Sequence, residues 1–197
     1  MYKVAITGGI GSGKSVVCSI LEEFGVAVYN SDLRAKELMS CSDVLRQQLM
    51  ERFGAEVYTS EGLNRAYLAE RVFGNAEELA ALNAIVHPAV MADFDAWAEA
   101  QEGGYVLLES AILFEAKLEN RVDAVVSVMA PEDLRVERAM ARDGASREQV
   151  EARIRAQMSD DERSDRSKYA IVNIDLDKLR EDVEQLHRRL SYDSRSK

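Results

Sequence analysis

Residues 2–16 read YKVAITGGIGSGKSV. A short apolar run, Val4-Ala5-Ile6, breaks into glycines. Gly8, four intervening residues, Gly13, Lys14 and Ser15 then satisfy G-x-x-x-x-G-K-[ST], with a strand signal before and a helix signal after. Glycines at 8, 9, 11 and 13 let backbone N–H groups converge on an anion. The start of the following helix adds more amides and the positive end of its dipole. Lys14 brings a mobile positive charge suited to β- and γ-phosphates. Ser15 offers a hydroxyl to a Mg²⁺ ion. A plain glycine-rich strand-to-helix turn would not need Lys-Ser at this point, so the stretch reads as a phosphate-binding loop.

The bulk properties narrow the partners. At 197 residues the chain buries one good core with room for a small appended subdomain. Its 25 Lys+Arg against 35 Asp+Glu give a net charge of −10, which argues against nonspecific nucleic-acid or membrane-surface binding. A polyanionic small molecule then needs a local concentration of cations. Cys18 and Cys41 have no metal spacing, and Cys18 falls within the first helix, where a buried reduced thiol is expected. The N-terminal stretch does not read as a signal peptide, and no run reaches the ~20 apolar residues of a membrane span. A cytoplasmic protein is the expectation.

In chain order, Lys14 to Phe24 reads as a helix stopped by Gly25, and Val26 to Tyr29 as a second strand, so a parallel α/β sheet begins here. Asp32 follows that strand directly, where ligands of open α/β sheets sit. Two readings stand together: a functional carboxylate, or an N-cap for a helix over Leu33–Met39, with Ser31 as rival cap. Arg34 and Lys36 either meet phosphate or are solvated helix residues. Further helices are expected over Ser42–Phe53, with Val44, Leu45, Leu49 and Phe53 on one side, from Asn64 to Phe73, and over Ala76–Val86. His87-Pro88 is expected to start a separate helix to about Ala100. This helical insertion of about 70 residues exceeds the dozen or so a crossover needs, and suits a substrate-binding subdomain.

Tyr105 to Leu108 reads as a buried parallel strand. Glu109 at its end either holds the water shell of a metal or merely closes the strand. Residues 110–118 read as irregular or weakly helical, Val122–Met129 as a strand, Glu132–Arg142 as a helix, and Ser146 as the cap of another helix reaching about Met158. Arg135, Arg138, Arg142, Arg147, Arg153, Arg155, Arg163, Arg166 and Lys168 cluster here. Many suit solvated positions or i,i+4 pairs with Glu148 and Glu151, but a hairpin with arginines on its inner face is what a lid over phosphates needs, with Arg138 or Arg142 the best placed. Tyr169–Ile174 is a last strand, Asp177–Leu190 a closing helix, and Ser191–Lys197 a polar, mobile tail.

Several stretches, in order, resemble the dephospho-coenzyme A kinase family. ITGGIGSGKS is similar to the family's loop, and VYNSDLRAKEL to its D-A-D segment. EGLNRAYLAERVF and LNAIVHP are similar to its L-N-R…L-A…V-F and L-N-x-I-x-H-P signatures. LLESAILFE resembles D-I-P-L-L-F-E, and ERAMARDGASREQVEARIRAQM resembles the lid and the R-I-x-x-Q helix that follows. IVNID stands where the family has a strand and an Asn near the adenine pocket.

The resemblance implies a three-layer α/β P-loop kinase fold with a five-stranded parallel sheet. Residues 1–30, 103–135 and 159–197 would form the nucleotide-binding core, 31–102 a helical coenzyme-A-binding domain and 136–158 a helical lid. It implies transfer of the γ-phosphoryl group of ATP, with Mg²⁺, to the ribose 3′-hydroxyl of dephospho-coenzyme A, the last step of coenzyme A synthesis, by a monomer or weak homo-oligomer. By match to its motifs, Asp32 is the general base, working with Lys14 and Arg142. Gly9, Gly11, Ser12, Gly13, Lys14, Ser15, Val16, Arg138, Arg142 and Asn173 bind ATP. Asp32, Lys36, Arg65, His87, Leu113, Phe114 and Glu115 bind the acceptor, and Ser15 and Glu109 hold the metal.

The chain departs from the family at Asn30 (usually Asp), Lys36 (Arg or His), Glu109 (Asp), Ala111 (Pro) and Val16 (Thr). Ser15 still supplies the hydroxyl and Asp32 the base. The alternative activity is that of another P-loop small-molecule or nucleoside monophosphate kinase. A nucleotide-controlled switch would need a guanine motif N-K-x-D, which this sequence lacks, or would have to be an adenine-specific binding module.

Overall fold

In the computed structural model of the protein, which describes residues 1–196, the chain forms β1 (Tyr2–Thr7), α1 (Lys14–Glu23), β2 (Val28–Asn30), α2 (Ser31–Cys41), α3 (Asp43–Phe53), β3 (Tyr58–Thr59), β4 (Gly62–Leu63), α4 (Arg65–Val72) and α5 (Ala76–Glu99). There follow β5 (Tyr105–Glu109), β6 (Ala124–Met129), α6 (Glu132–Asp143), α7 (Arg147–Arg155), α8 (Asp160–Asp165), β7 (Tyr169–Val172) and α9 (Leu176–Arg195). The chain divides into two compact units, residues 31–97 and the remainder on either side. The last two residues of α5, Ala98 and Glu99, belong with the larger unit.

The larger unit is built on a parallel sheet of order β2-β5-β1-β6-β7. Its central strands are apolar at nearly every position because helices cover both faces. Side chains alternate across the pleat. Val4, Ile6, Leu107, Val126 and Val128 join one buried cluster with Val17, Ile20 and Leu21 of α1 and Leu179, Val183, Leu186 and Leu190 of α9. Ala5, Val106, Leu108 and Val125, at the alternate positions, are buried too. This is the three-layer α/β arrangement the sequence suggests.

Most helix starts are written locally. The Ser42 side chain accepts Leu45 N–H at 3.3 Å to begin α3, and Asn64 accepts Tyr67 N–H at 3.2 Å to begin α4. Ser146 and Gln149 form a reciprocal capping box at α7. In the smaller unit Leu49, Phe53, Val57, Tyr58 and Leu68 form one cluster. Arg34 holds Asp93 with a bidentate fork, Nη2 to Oδ1 at 2.8 Å and Nε to Oδ2 at 3.0 Å, which ties α2 to α5.

Five expectations change. Helix α2 starts at Ser31, directly after β2, so Asp32 lies in the first turn rather than at the cap, where its charge suits the helix dipole. Val44 is 67% exposed, outside the packed face of α3. Residues 76–99 form one helix with Pro88 inside it, not two helices meeting at His87. Proline in a helix interior costs about 3 kcal/mol, and burial of Val86 and Val90 on either side offsets it. A separate short helix, α8, capped by Ser159, follows α7. The expected tail is helical to Arg195, because Leu190 is buried and Lys168 and Tyr169 both donate to Asp193.

Two residues of α3 test this packing. Leu49→Ala, in a fully buried position, should lower unfolding free energy by about 2–5 kcal/mol in urea titration, and Val44→Ala should stay within about 0.5 kcal/mol of wild type. The reverse order of effects would mean that α3 is turned the other way.

Candidate active site

Strand β1 carries the glycine loop out of the centre of the sheet. It pairs with β5 on one side and β6 on the other, so residues 8–13 emerge at the carboxyl edge with their base fixed. The loop turns into α1 at Gly13, with φ 89°, a left-handed conformation, and no side-chain cap. A Cβ on Gly13 would overlap the Asn173 amide, and one on Gly11, with φ 75°, would overlap the Arg135 carbonyl. Glycine is therefore required at both for approach as well as for φ.

Helices α3, α4, α7, α8 and α9 each receive a side-chain cap, but α1 receives none and has no acid in its first turn. The Val16 N–H turns back to Gly13 O at 3.0 Å, and this end of α1, with the positive end of the helix dipole, suits an anion. Lys14 Nζ donates to Gly8 O at 2.7 Å, which holds the ammonium across the loop. Ser15 and Val16, the next two residues of α1, are exposed. Ser12 Oγ is buried with no hydrogen-bond partner among the described residues.

Long-range contacts set the loop's shape. Asn173 Nδ2 donates to Ser12 O at 2.9 Å, and Asn173 N–H donates to Met129 O at 2.7 Å, so the residue after β7 locks the loop to the β6 edge. Arg138 Nη1 reaches Asn173 O at 3.1 Å. Arg135 is buried and donates Nε to Ile10 O at 2.9 Å and Nη1 to Asp160 at 3.0 Å. Arg163, fully buried, donates to the other Asp160 oxygen at 2.7 Å and to Met158 O at 2.8 Å. Burial lowers the Arg163 pKa, opposed by Asp160 and Glu115.

Arg142 is 64% exposed and forks onto Asp143, with Nε to Oδ1 at 2.7 Å, which raises its pKa. Leu113 and Phe114 are buried, with the Arg166 guanidinium 4.4 Å from the Phe114 ring centroid. Glu115 accepts Met158 N–H at 3.3 Å. Glu109 closes β5 beside β1 and β2, and accepts Asn30 Nδ2 at 2.8 Å. An Asp in place of Asn30 would set a second acidic side chain against Glu109, and the amide gives it a donor instead.

In the smaller unit, Asp32 and Lys36 are exposed on α2, and Arg65 is exposed at the start of α4. His87 is half-buried within α5, and burial lowers its pKa. Arg34 is engaged by Asp93 and Glu37. In the sequence Gln157 stands out only as the end of the R-I-x-x-Q stretch, Asp160 carries no signal, and Arg135 and Arg163 lie unassigned within the arginine cluster, in which burial does not show.

For a metal, the donors to hand are the Ser15 hydroxyl and the Glu109 carboxylate. Both are hard oxygens, the type Mg²⁺ prefers. No group of three or more His, Cys, Asp or Glu among the described residues could hold a metal by itself.

A phosphate loop at the carboxyl edge of a parallel sheet, with a glycine-capped helix behind it and an arginine-bearing hairpin beside it, defines a P-loop kinase. The family model described as dephospho-CoA kinase (CoaE) matches residues 2–177. A dephospho-CoA kinase of Bacteroides fragilis is 44% identical over 172 residues, covering 87% of this chain and 84% of that protein. The crystal structure of TT1252 from Thermus thermophilus superposes with a TM-score of 0.83 at 35% identity, covering 98% and 97% of the two chains. The dephospho-CoA kinase from Campylobacter jejuni shares the fold, with a TM-score of 0.69 at 21% identity over 96% and 97% of the chains. This chain belongs to the dephospho-CoA kinase family. No helix among its described residues is long and apolar enough to cross a membrane.

Two predictions follow from the buried groups around the loop. Asn173→Leu removes the donor to the Ser12 carbonyl, and should cost about 1–3 kcal/mol of stability in urea titration together with weaker ADP binding by calorimetry. Cys18 is buried, and desolvation, reinforced by Glu109 and Glu22, pushes its thiol pKa up, whereas Cys41 is exposed. At pH 8 a thiol reagent should therefore label one cysteine in the native protein and two in denaturant.

Proposed function

We propose that this chain transfers the γ-phosphoryl group of ATP to the ribose 3′-hydroxyl of dephospho-coenzyme A, giving coenzyme A and ADP. The observation that carries this reading is the glycine-capped N-terminus of α1, with Lys14 held across the loop, in a chain whose family match runs over residues 2–177.

Phosphoryl transfer needs alignment and charge neutralisation more than covalent help. The amides of residues 11–16 hold the phosphates, and Gly9 lets the loop close against Arg135. Lys14 leaves the Gly8 carbonyl for the β- and γ-phosphates. Ser15, with Glu109 through water, would hold Mg²⁺, which neutralises phosphate charge when bound. Asn30 keeps the Glu109 carboxylate oriented. Arg138 lies against the base-binding end, beside Asn173. Arg142 must exchange its Asp143 partner for phosphate, as a lid arginine does on closure. On the acceptor side, Asp32 takes or orients the 3′-hydroxyl proton. Lys36, Arg65 and His87 contact the acceptor, whose phosphates suit the two cations. Leu113, Phe114 and Glu115 are assigned to the acceptor by their match to the family's segment. A cytoplasmic monomer or weak homo-oligomer with no nucleic-acid partner fits the net charge of −10.

The decisive measurement is ADP release with ATP and Mg²⁺ over a panel of acceptors. Dephospho-coenzyme A should give turnover, and nucleoside monophosphates and shikimate should not; the reverse pattern would assign another kinase activity. Asp32→Asn should lower kcat by about 10²–10⁴-fold with ATP affinity unchanged. Lys14→Ala should reduce both. Wild-type turnover in Asp32→Asn removes Asp32 from the base role.

A further inference from the structure

The hairpin of α6 and α7 meets the phosphate loop at one residue. Ile10 N–H donates to Gln157 Oε1 at 2.9 Å, and Ile10 O accepts Arg135 Nε at 2.9 Å. Arg135 lies near the start of α6 and Gln157 just beyond α7, so the two partners bracket the hairpin. The Ile10 side chain packs against the hairpin's own core, Val136, Ala139 and Val150. Ile10 is thus a member of the hairpin's core as well as of the loop.

The surroundings reinforce the contact. The Arg135 carbonyl and guanidinium lie so close to Gly11 and Gly9 that a Cβ at either would overlap them. Arg135 is itself fixed by Asp160, which also takes the fully buried Arg163. With glycine on both sides, the Ile10 peptides would rotate readily in the absence of such holds.

We propose that Ile10 couples the loop to the lid. Phosphates settling on the amides that follow Ile10 fix its peptide groups, and these fix the two roots of the hairpin. Arg135 and Gln157 are positioning residues that act through Ile10 and not by touching nucleotide. This rests on the loop being the nucleotide site. Coupling of this kind is reciprocal: if bound nucleotide orders the hairpin, a loosened root weakens nucleotide binding by the same factor.

The test compares wild type, Gln157→Leu and Gln157→Glu. ADP affinity is measured by calorimetry, and hydrogen exchange of residues 136–156 is followed with and without ADP. In wild type, ADP should slow exchange in the hairpin. Gln157→Leu removes the acceptor of Ile10 N–H and should weaken ADP binding roughly fivefold to tenfold, the worth of one such bond. It should also abolish the ADP-dependent protection. Gln157→Glu keeps an oxygen acceptor and should restore both, which a purely structural loss would not do. Should Gln157→Leu not fold, Ile10→Ala, which thins the hairpin core without stranding a polar group, carries the same measurements. ADP affinity within twofold of wild type, with the protection intact, in either variant overturns the coupling. Failure of wild type to bind ADP overturns the nucleotide reading and the coupling with it.

Discussion

Strand β1 is hydrogen-bonded along both edges, to β5 and to β6, and the glycine loop grows from its end. That pairing fixes where the loop begins. Helix α1, packed through Val17, Ile20 and Leu21 onto the same sheet, fixes where it ends. Between two anchored points the loop's freedom is narrowed, so less binding energy is spent on ordering its amides. The helix N-terminus is left uncapped at the place where a phosphate satisfies it best.

Charge is managed by the same geometry. The chain is acidic overall, yet Lys14, Arg135, Arg138 and Arg163 gather around the loop and its flanks. Two of them, Arg135 and Arg163, are buried, where an unpaired cation would be costly. Asp160 answers both, and Glu115 lies 4.0 Å from Arg163. These arginines therefore shape the loop. At the end of β5 the Asn30 amide similarly gives Glu109 a donor.

The loop, helices α1, α3, α4 and α7, and the apolar runs of β5 and β6 were legible in the sequence because their signals are local. A cap such as Ser42, Asn64 or Ser146 acts within three residues of itself. The misreadings came where a local rule lost to packing. Pro88 signals a helix start, but burial on both sides carries α5 through it. Ser191 onward looks like a loose polar end, but Asp193, held by Lys168 and Tyr169, continues α9. Val44 matches the helical period of its neighbours, and only the placement of α3 shows that it faces water.

By itself the sequence determined that a phosphate-loop motif stands between a strand and a helix, since the glycines, Lys14 and Ser15 carry their backbone geometry and chemistry within eight consecutive positions. It determined the family as well, through motifs spread along the chain. Only the tertiary structure decided which members of a run of arginines are buried props and which remain exposed, as Arg142 does. The reason is distance along the chain: Asn173 reaches Ser12 across 161 residues and Arg135 reaches Ile10 across 125, and no local pattern encodes a partner that only the fold brings near.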